Sequence, residues 1–308
     1  MAKFLCVCLS ATIQRTVTFR TVSVASVNRS ESYREDASGK AVNAARVLNE
    51  LEPGCAAAVC PLGAENGARF LNLARRDGLP VIAVETPGAT RECWTLLDRM
   101  NGTTTELVVG EASGGFDFSA AEARLVEAVS GALRGADAVL LAGSRPDCWS
   151  QGLSTCIARM AVGAQKVLLA DYCGADLERT LSVCTPAVIK INEEEFRKTF
   201  CGGQYLDESC LKAAVAEKSA ALRNAVVVTR GSRSTYAAVD GAFTEFGVES
   251  VSAVNTTACG DAFAAGFLYE YVQSGDFSGA LAKGTWCAAR NAESRRPGSV
   301  ASGRPFLR

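Results

Sequence analysis

Short apolar runs recur along the chain at residues 4–9, 56–61, 138–142, 167–170, 187–191 and 225–229. Most have few polar interruptions, the pattern of parallel strands covered on both faces. Between them, amphipathic periodicity predicts helices over 41–51, 67–76, 120–133, 153–161 and 211–222, and two consecutive helices over 260–273 and 278–293. This alternation predicts an α/β fold: a doubly wound, mostly parallel sheet flanked by helices.

Two regions break the pattern. Residues 12–24 and 92–109 alternate Thr, Val, Phe, Trp and Leu, with Asn101-Gly102 as a hairpin turn between strands. They predict a small β-strand lid at the sheet's edge, with strands from about 12–24 and 91–110. Open strand edges invite a second chain, so a homodimer through the lid is an expectation. No internal repeat, low-complexity tract or long linker divides the chain, which reads as one domain over 1–308.

Composition narrows the chemistry. The chain has 308 residues, 48% of them hydrophobic, and a formal net charge of −1. No strong field recruits nucleic acid or an anionic membrane, so basic residues act locally. The first apolar run is too short for a signal peptide, and no stretch is long enough to span a bilayer. Thirteen cysteines, an odd number without a CxxC pair, read as reduced thiols in a cytoplasmic protein. Histidine is absent, which excludes His-based triads and leaves acid–base work to Asp, Glu, Lys, Tyr or Cys.

The most informative segment runs from Val254 to Phe267, where polar and small residues lead into an apolar helix. Backbone N–H groups at such a helix start favour an anion, and Asp261 stands in the first turn. A carboxylate there either accepts a proton from an attacking hydroxyl, as phosphoryl transfer requires, or caps the helix. Three other segments bear on the choice. Ser38-Gly39-Lys40 opens a helix carrying Asn43, which offers a cation and an amide to a phosphorylated or hydroxylated ligand, or is an ordinary strand–helix connection. Asn192 and Glu195 share one face of a helix start, which suits hydrated Mg²⁺ or a capping box. Thr229 and Gly231 end a strand at the carboxyl edge of the sheet, where open α/β folds bind ligands.

Together and in this order, these segments resemble the ribokinase-like (phosphofructokinase B) carbohydrate kinase family. Asn255–Asp261 is similar to its D/N-T/S-x-G-A-G-D signature, Ser38–Asn43 to G-G-K-G-x-N, Asn192–Glu195 to N-x-x-E, and Thr229–Gly231 to T-x-G. The segment from Ala288 to Gly298 resembles the family's last stretch, near the adenine pocket. Val27-Asn28-Arg29, Thr90-Arg91 and Gly143-Ser144 resemble the 1-phosphofructokinase and tagatose-6-phosphate kinase branch, which phosphorylates sugars already carrying a phosphate.

The resemblance implies an ATP- and Mg²⁺-dependent kinase acting on a ketohexose phosphate, of the fructose 1-phosphate, fructose 6-phosphate or tagatose 6-phosphate type. It implies Asp261 as the base, with Ala258, Cys259 and Gly260 giving backbone N–H groups to the transferring phosphoryl. It places Gly39, Lys40, Asn43, Arg91 and Ser144 at the sugar, with Lys40, Arg29 and Arg91 as cations for its phosphate; the alternative for the arginines, Arg29 above all, is a solvated surface charge. Thr229, Gly231 and Asn291 would line the nucleotide site, and Asn192 and Glu195 would hold Mg²⁺ through water. Competing readings are a kinase of an unphosphorylated sugar or nucleoside, and a degenerate kinase that binds without turnover.

The chain departs from the family at three points. Gln14 stands where an acidic sugar ligand is usual. Ala258 and Ala41 stand where glycine is usual, and alanine costs about 1–2 kcal/mol wherever φ is positive. Cys259 is expected beside the phosphate path, either as a thiol whose pKa the helix start lowers or as a buried, inert one.

Overall fold

The structure, a computed structural model, describes residues 2–110 and 115–301. The chain runs β1 (Phe4–Cys8), β2 (Thr12–Phe19), β3 (Ser32–Ser38), α1 (Lys40–Leu51), β4 (Ala56–Gly63), α2 (Gly67–Arg76), β5 (Val81–Thr86), β6 (Glu92–Asp98) and β7 (Thr103–Val109). It continues through α3 (Ser119–Leu133), β8 (Ala138–Ala142), α4 (Leu153–Gly163), β9 (Val167–Asp171), α5 (Ala175–Leu181), β10 (Val188–Asn192), α6 (Glu193–Phe200) and α7 (Glu208–Leu222). It closes with β11 (Ala225–Arg230), β12 (Arg233–Val239), β13 (Ala242–Phe246), α8 (Cys259–Ser274) and α9 (Phe277–Glu293).

The main sheet has nine strands in the order β13-β12-β11-β10-β9-β8-β1-β4-β5. It is parallel from β11 to β5, and the β12–β13 hairpin adds an antiparallel edge. The apolar runs explain its burial on both faces. Successive side chains of a strand point to opposite faces. Phe4, Cys6 and Cys8 therefore join α1, α2, α8 and α9 in one core, while Leu5, Val7 and Leu9 join α3, α4, α6 and α7 in the other. Each Leu, Val or Phe buried this way contributes about 1.5–3 kcal/mol.

A second sheet of four strands has the order β3-β2-β6-β7. β2 leaves the carboxyl end of β1 after Ser10 and Ala11, and β3 returns directly into α1 through Gly39. This sheet therefore grows from the carboxyl edge of the main one. Gly39 makes the tight return with φ of 121°, and a Cβ there would stand 2.7 Å from Cys8 Sγ.

The predicted lid strands are present with changed limits. β2 ends at Phe19, and residues 20–24 leave the sheet because Asp98 draws in the backbone N–H of Val22 at 2.8 Å. Four residues, 99–102, connect β6 to β7 in place of a two-residue hairpin, since Asp98 Oδ1 also accepts from Asn101 N at 3.0 Å. β3 has no counterpart among the predicted strands. Its sequence, SYREDAS, is mostly polar, and ion pairs hold it: Arg34 with Asp36 at 2.6 Å and Arg15 with Glu35 at 3.0 Å. β5, β12, β13, α5 and α6 were likewise not predicted. No helix among the described residues is long and apolar enough to cross a membrane.

Candidate active site

The carboxyl ends of β1, β8, β9, β10 and β11 open on one edge, as parallel pairing requires. Helix α8 starts there. Its N-cap is Ala258, in the left-handed region at φ 65° and ψ 11°, and no side chain caps the first turn. The condition set by the sequence is met: alanine occupies a positive-φ position that costs it about 1–2 kcal/mol, and the strain sits beside the candidate chemistry.

Asp261 follows in the first turn and is 8% exposed. It does not cap the helix; Oδ2 instead accepts from Asn43 Nδ2 at 2.9 Å. Burial, with Asp171 adding to it, pushes the carboxyl pKa up to about 6, against the opposing pull of Lys40, the Asn43 hydrogen bond and Lys190. Asn43 is itself buried on α1.

A line of charges lies next to Asp261. Asp171, fully buried at the end of β9, receives Lys190 Nζ at 2.9 Å and Lys40 Nζ at 3.3 Å. Burial alone would raise the Asp171 carboxyl, but these two ammonium groups bring it below its usual range. Lys40 also meets Glu195 Oε1 at 3.2 Å. Asp171 above all, with Glu195 and Asp261, raises the Lys40 pKa and keeps it protonated.

Asn192 and Glu195 form a reciprocal capping box at the start of α6, with both bonds at 2.8 Å. The remaining Glu195 oxygen faces Lys40. Among the described residues no group of three or more acidic or soft ligands could hold a metal by itself. Asn192 and Glu195 present oxygen donors alone, a chemistry that fits Mg²⁺, which keeps waters and shares phosphate oxygens.

Two cavities flank this core. One, of about 280 Å³, is lined by Thr229, Gly231, Cys259, Gly260, Ala288 and Ala292, among others. The second is a small hollow at the carboxyl ends of β1, β4 and β5, lined by Ser10, Gly63, Thr90, Arg91 and Trp149. Asn66 holds the backbone of Thr90 there at 2.7 and 2.9 Å, which fixes the approach of Arg91.

The predicted site residues separate into groups. Asp261, Gly260, Asn43, Lys40, Gly39 and Glu195 converge. Thr229, Gly231 and Cys259 line the larger cavity, and Arg91 lines the smaller. Ser144 is exposed and follows Gly143, whose added Cβ would stand 3.7 Å from Lys40 Cβ. Gln14 is buried in the lid sheet and donates to Thr95 Oγ1 at 2.6 Å.

Four expectations change. Lys40 was expected to offer its charge to a sugar phosphate, but two carboxylates already hold it. Arg29 is exposed on the connection between β2 and β3 and lines neither cavity. Asn291 is fully buried behind the larger cavity, where Nδ2 donates to Thr257 O at 2.8 Å and Oδ1 accepts from Gly298 N at 2.7 Å; it braces the turn before α8. The Cys259 thiol pKa is raised, because burial outweighs its contact with Asn291.

Asp171 and Lys190 were missed by the sequence reading. Both had a signal: a charged residue inside or ending an otherwise apolar parallel strand is costly to bury unless a partner waits at the sheet's edge.

The sequence matches the family described as pfkB family carbohydrate kinase over residues 3–302. It is 30% identical over 272 residues to a 1-phosphofructokinase of Rhodobacter capsulatus, covering 85% of this chain and 82% of that protein. The fold is similar to phosphofructokinase-2 from Escherichia coli solved with fructose-6-phosphate: TM-score 0.83, 17% identity, covering 95% of this chain and 94% of that one. It is also similar to a possible 1-phosphofructokinase from Thermotoga maritima, with TM-score 0.83 and 18% identity over 96% of this chain and 93% of that one.

Proposed function

The chain belongs to the pfkB family of carbohydrate kinases, and from that premise we propose that Asp261 is the base that activates the hydroxyl of a ketohexose phosphate. The protein is a phosphotransferase with a hydroxyl acceptor; it uses ATP with Mg²⁺ and acts on a phosphorylated sugar. The proposed acceptor is of the fructose 1-phosphate, fructose 6-phosphate or tagatose 6-phosphate type.

The observation that carries the reading is the buried Asp261 carboxylate, with its pKa near 6, in the first turn of an uncapped helix start that lines a cavity. In the proposed reaction the sugar oxygen bonds to the γ-phosphorus as the bond to the ADP oxygen breaks. Asp261 takes the hydroxyl proton, and the leaving charge departs with ADP. The backbone N–H group of Gly260 faces the transferring phosphoryl, with Lys190 beneath it and Lys40 to one side, while that of Cys259 already donates to Thr256 O at 3.3 Å. Thr229 and Gly231 line the nucleotide cavity. Arg91, in the smaller hollow, is the cation for the sugar's own phosphate. Asn192 and Glu195 would hold Mg²⁺ through water, and the bound ion would neutralise phosphate charge.

The chain is read as one kinase domain acting in the cytoplasm. A homodimer through the lid rests on β7, an edge strand exposed at every residue, including Leu107, Val108 and Val109. Solution mass tests it.

The test of function is ATP consumption with a panel of ketohexose phosphates, unphosphorylated sugars and nucleosides, run on the natural chain and on Asp261→Asn. Turnover confined to phosphorylated ketohexoses and lost in the variant, with nucleotide binding kept, is expected. Turnover retained by Asp261→Asn would remove the residue from its role.

A further inference from the structure

The Asn43 side chain has two chemically different ends, and its orientation decides whether Asp261 meets a donor or an acceptor. Nδ2 donates to Asp261, while Oδ1 accepts from Ser38 Oγ at 2.9 Å and from Arg46 Nη1 at 3.2 Å. A reversed amide would set its oxygen against the Asp261 carboxylate and its NH₂ against the Arg46 donors. Both contacts are repulsive.

Arg46 lies one turn further along α1, and its side chain is 2% exposed. Nη1 also donates to Pro297 O at 3.2 Å, while Nη2 donates to Ala37 O and reaches Asp77 Oδ2 at 3.3 Å. One rigid fork thus ties together the end of β3, the segment after α9 and the amide that meets Asp261. Gly298 closes against the same point: a Cβ on it would stand 2.7 Å from Asn43 Cβ. A lysine could not reproduce this, since its single ammonium lacks the planar fork.

Resting on the reading of Asp261 as the base, we propose that Arg46 is a positioning residue for phosphoryl transfer: it locks the Asn43 amide with its NH₂ toward Asp261. Arg46 touches no substrate in this arrangement and acts only through Asn43. The charged groups around it are Arg296, Asp77, Asp36 and Glu50; those facing Asp261 are Lys40, Asp171 and Lys190. Arg46→Lys keeps the charge at 46, so its effect isolates the loss of the fork.

The experiment is a cycle of Arg46→Lys, Asn43→Ala and the double variant, with kcat, nucleotide affinity and the pH profile measured in each. Arg46→Lys is expected to lower kcat on the order of tenfold to a hundredfold, the scale of a misplaced catalytic group, with nucleotide affinity unchanged. The acid limb of its pH profile should move to higher pH, because Asp261 loses a donor that favours its carboxylate. In the Asn43→Ala background the same substitution should add nothing. Full kcat in Arg46→Lys, or losses that simply add in the double variant, overturns the proposal.

Ser38→Ala is the second arm, for the case in which Arg46→Lys does not fold. With Arg46 still gripping Oδ1, its kcat should stay within about threefold of the natural chain, far short of misplacement. A loss as large as that of Asn43→Ala assigns the lock to Ser38 and overturns the proposal. Asp261→Asn separates the two levels: if it is inactive while Arg46→Lys is fully active, only the positioning role fails.

Discussion

Lys190 and Gly260 meet beneath the first turn of α8: the ammonium lies 3.0 Å from the point where a Cβ on residue 260 would stand. A cation from strand β10 thus backs the uncapped N–H groups of the helix. Both attract an anion at the same place, and the helix start adds its dipole. Lys190 is held there by its 2.9 Å pair with Asp171, itself wholly buried.

Gly260→Ala tests that closeness. The new methyl group would press on an ammonium that cannot withdraw without stretching a buried ion pair. We expect kcat to fall at least about tenfold, the effect of losing one well-placed electrostatic group being on the order of a hundredfold or more. Unchanged kcat in Gly260→Ala would mean that Lys190 does not serve the phosphoryl.

Asp261 gives two linked pH predictions. Because its pKa is raised to about 6 by burial, the base is protonated below that pH, and kcat should fall on the acid side near pH 6. The stability effect has the opposite sense. An unfolded Asp titrates near 3.9, so the folded state disfavours the carboxylate relative to the unfolded one. Folding is therefore weakened as pH rises from about 4 to about 6, by up to about 3 kcal/mol at neutral pH. Asp261→Asn should raise the melting temperature at pH 7.5, and the gain should vanish towards pH 4. A variant less stable than the natural chain at pH 7.5 would contradict the buried, weakly compensated carboxylate.

Periodicity carried most of the main sheet, because strands buried on both faces leave unbroken apolar runs such as Val226–Val228. It failed at β3, where Glu35 pairs with Arg15 and Arg69, and Asp36 with Arg76 and Arg296, on elements outside the strand. Asp261, Asn43 and Gly260 were legible because a helix start needs small residues and the motif spacing is short. Lys40 was visible as a cation, but its commitment was not: Asp171 lies 131 residues away, and only the parallel register of β8 and β9 brings it near. Asn291 was legible as a position and misread in role, since burial behind a cavity leaves no mark in the sequence.

Ala258 predicts a stabilising substitution. Its φ of 65° costs a side chain about 1–2 kcal/mol, and glycine removes that cost. Glycine also loses more chain entropy on folding, which returns about 0.4–1 kcal/mol. Ala258→Gly should therefore gain up to about 1.6 kcal/mol in urea unfolding, with an unchanged denaturant slope. A loss of stability would mean that the alanine methyl packs better than its backbone is strained.

Cys259 should be a slow but decisive thiol. It lines the larger cavity, and burial raises its pKa, so the reactive thiolate is scarce at neutral pH. Cys210 is exposed and should be alkylated first. On treatment with iodoacetamide we expect an early modification without loss of activity, then a slower one that accelerates with rising pH and tracks inactivation. Nucleotide should retard only the slow phase, because the bound ligand and the added group compete for the same space beside Gly260. Mass spectrometry of the labelled peptides assigns each phase. Complete alkylation of Cys259 with full activity would show that the cavity it lines is not the nucleotide's.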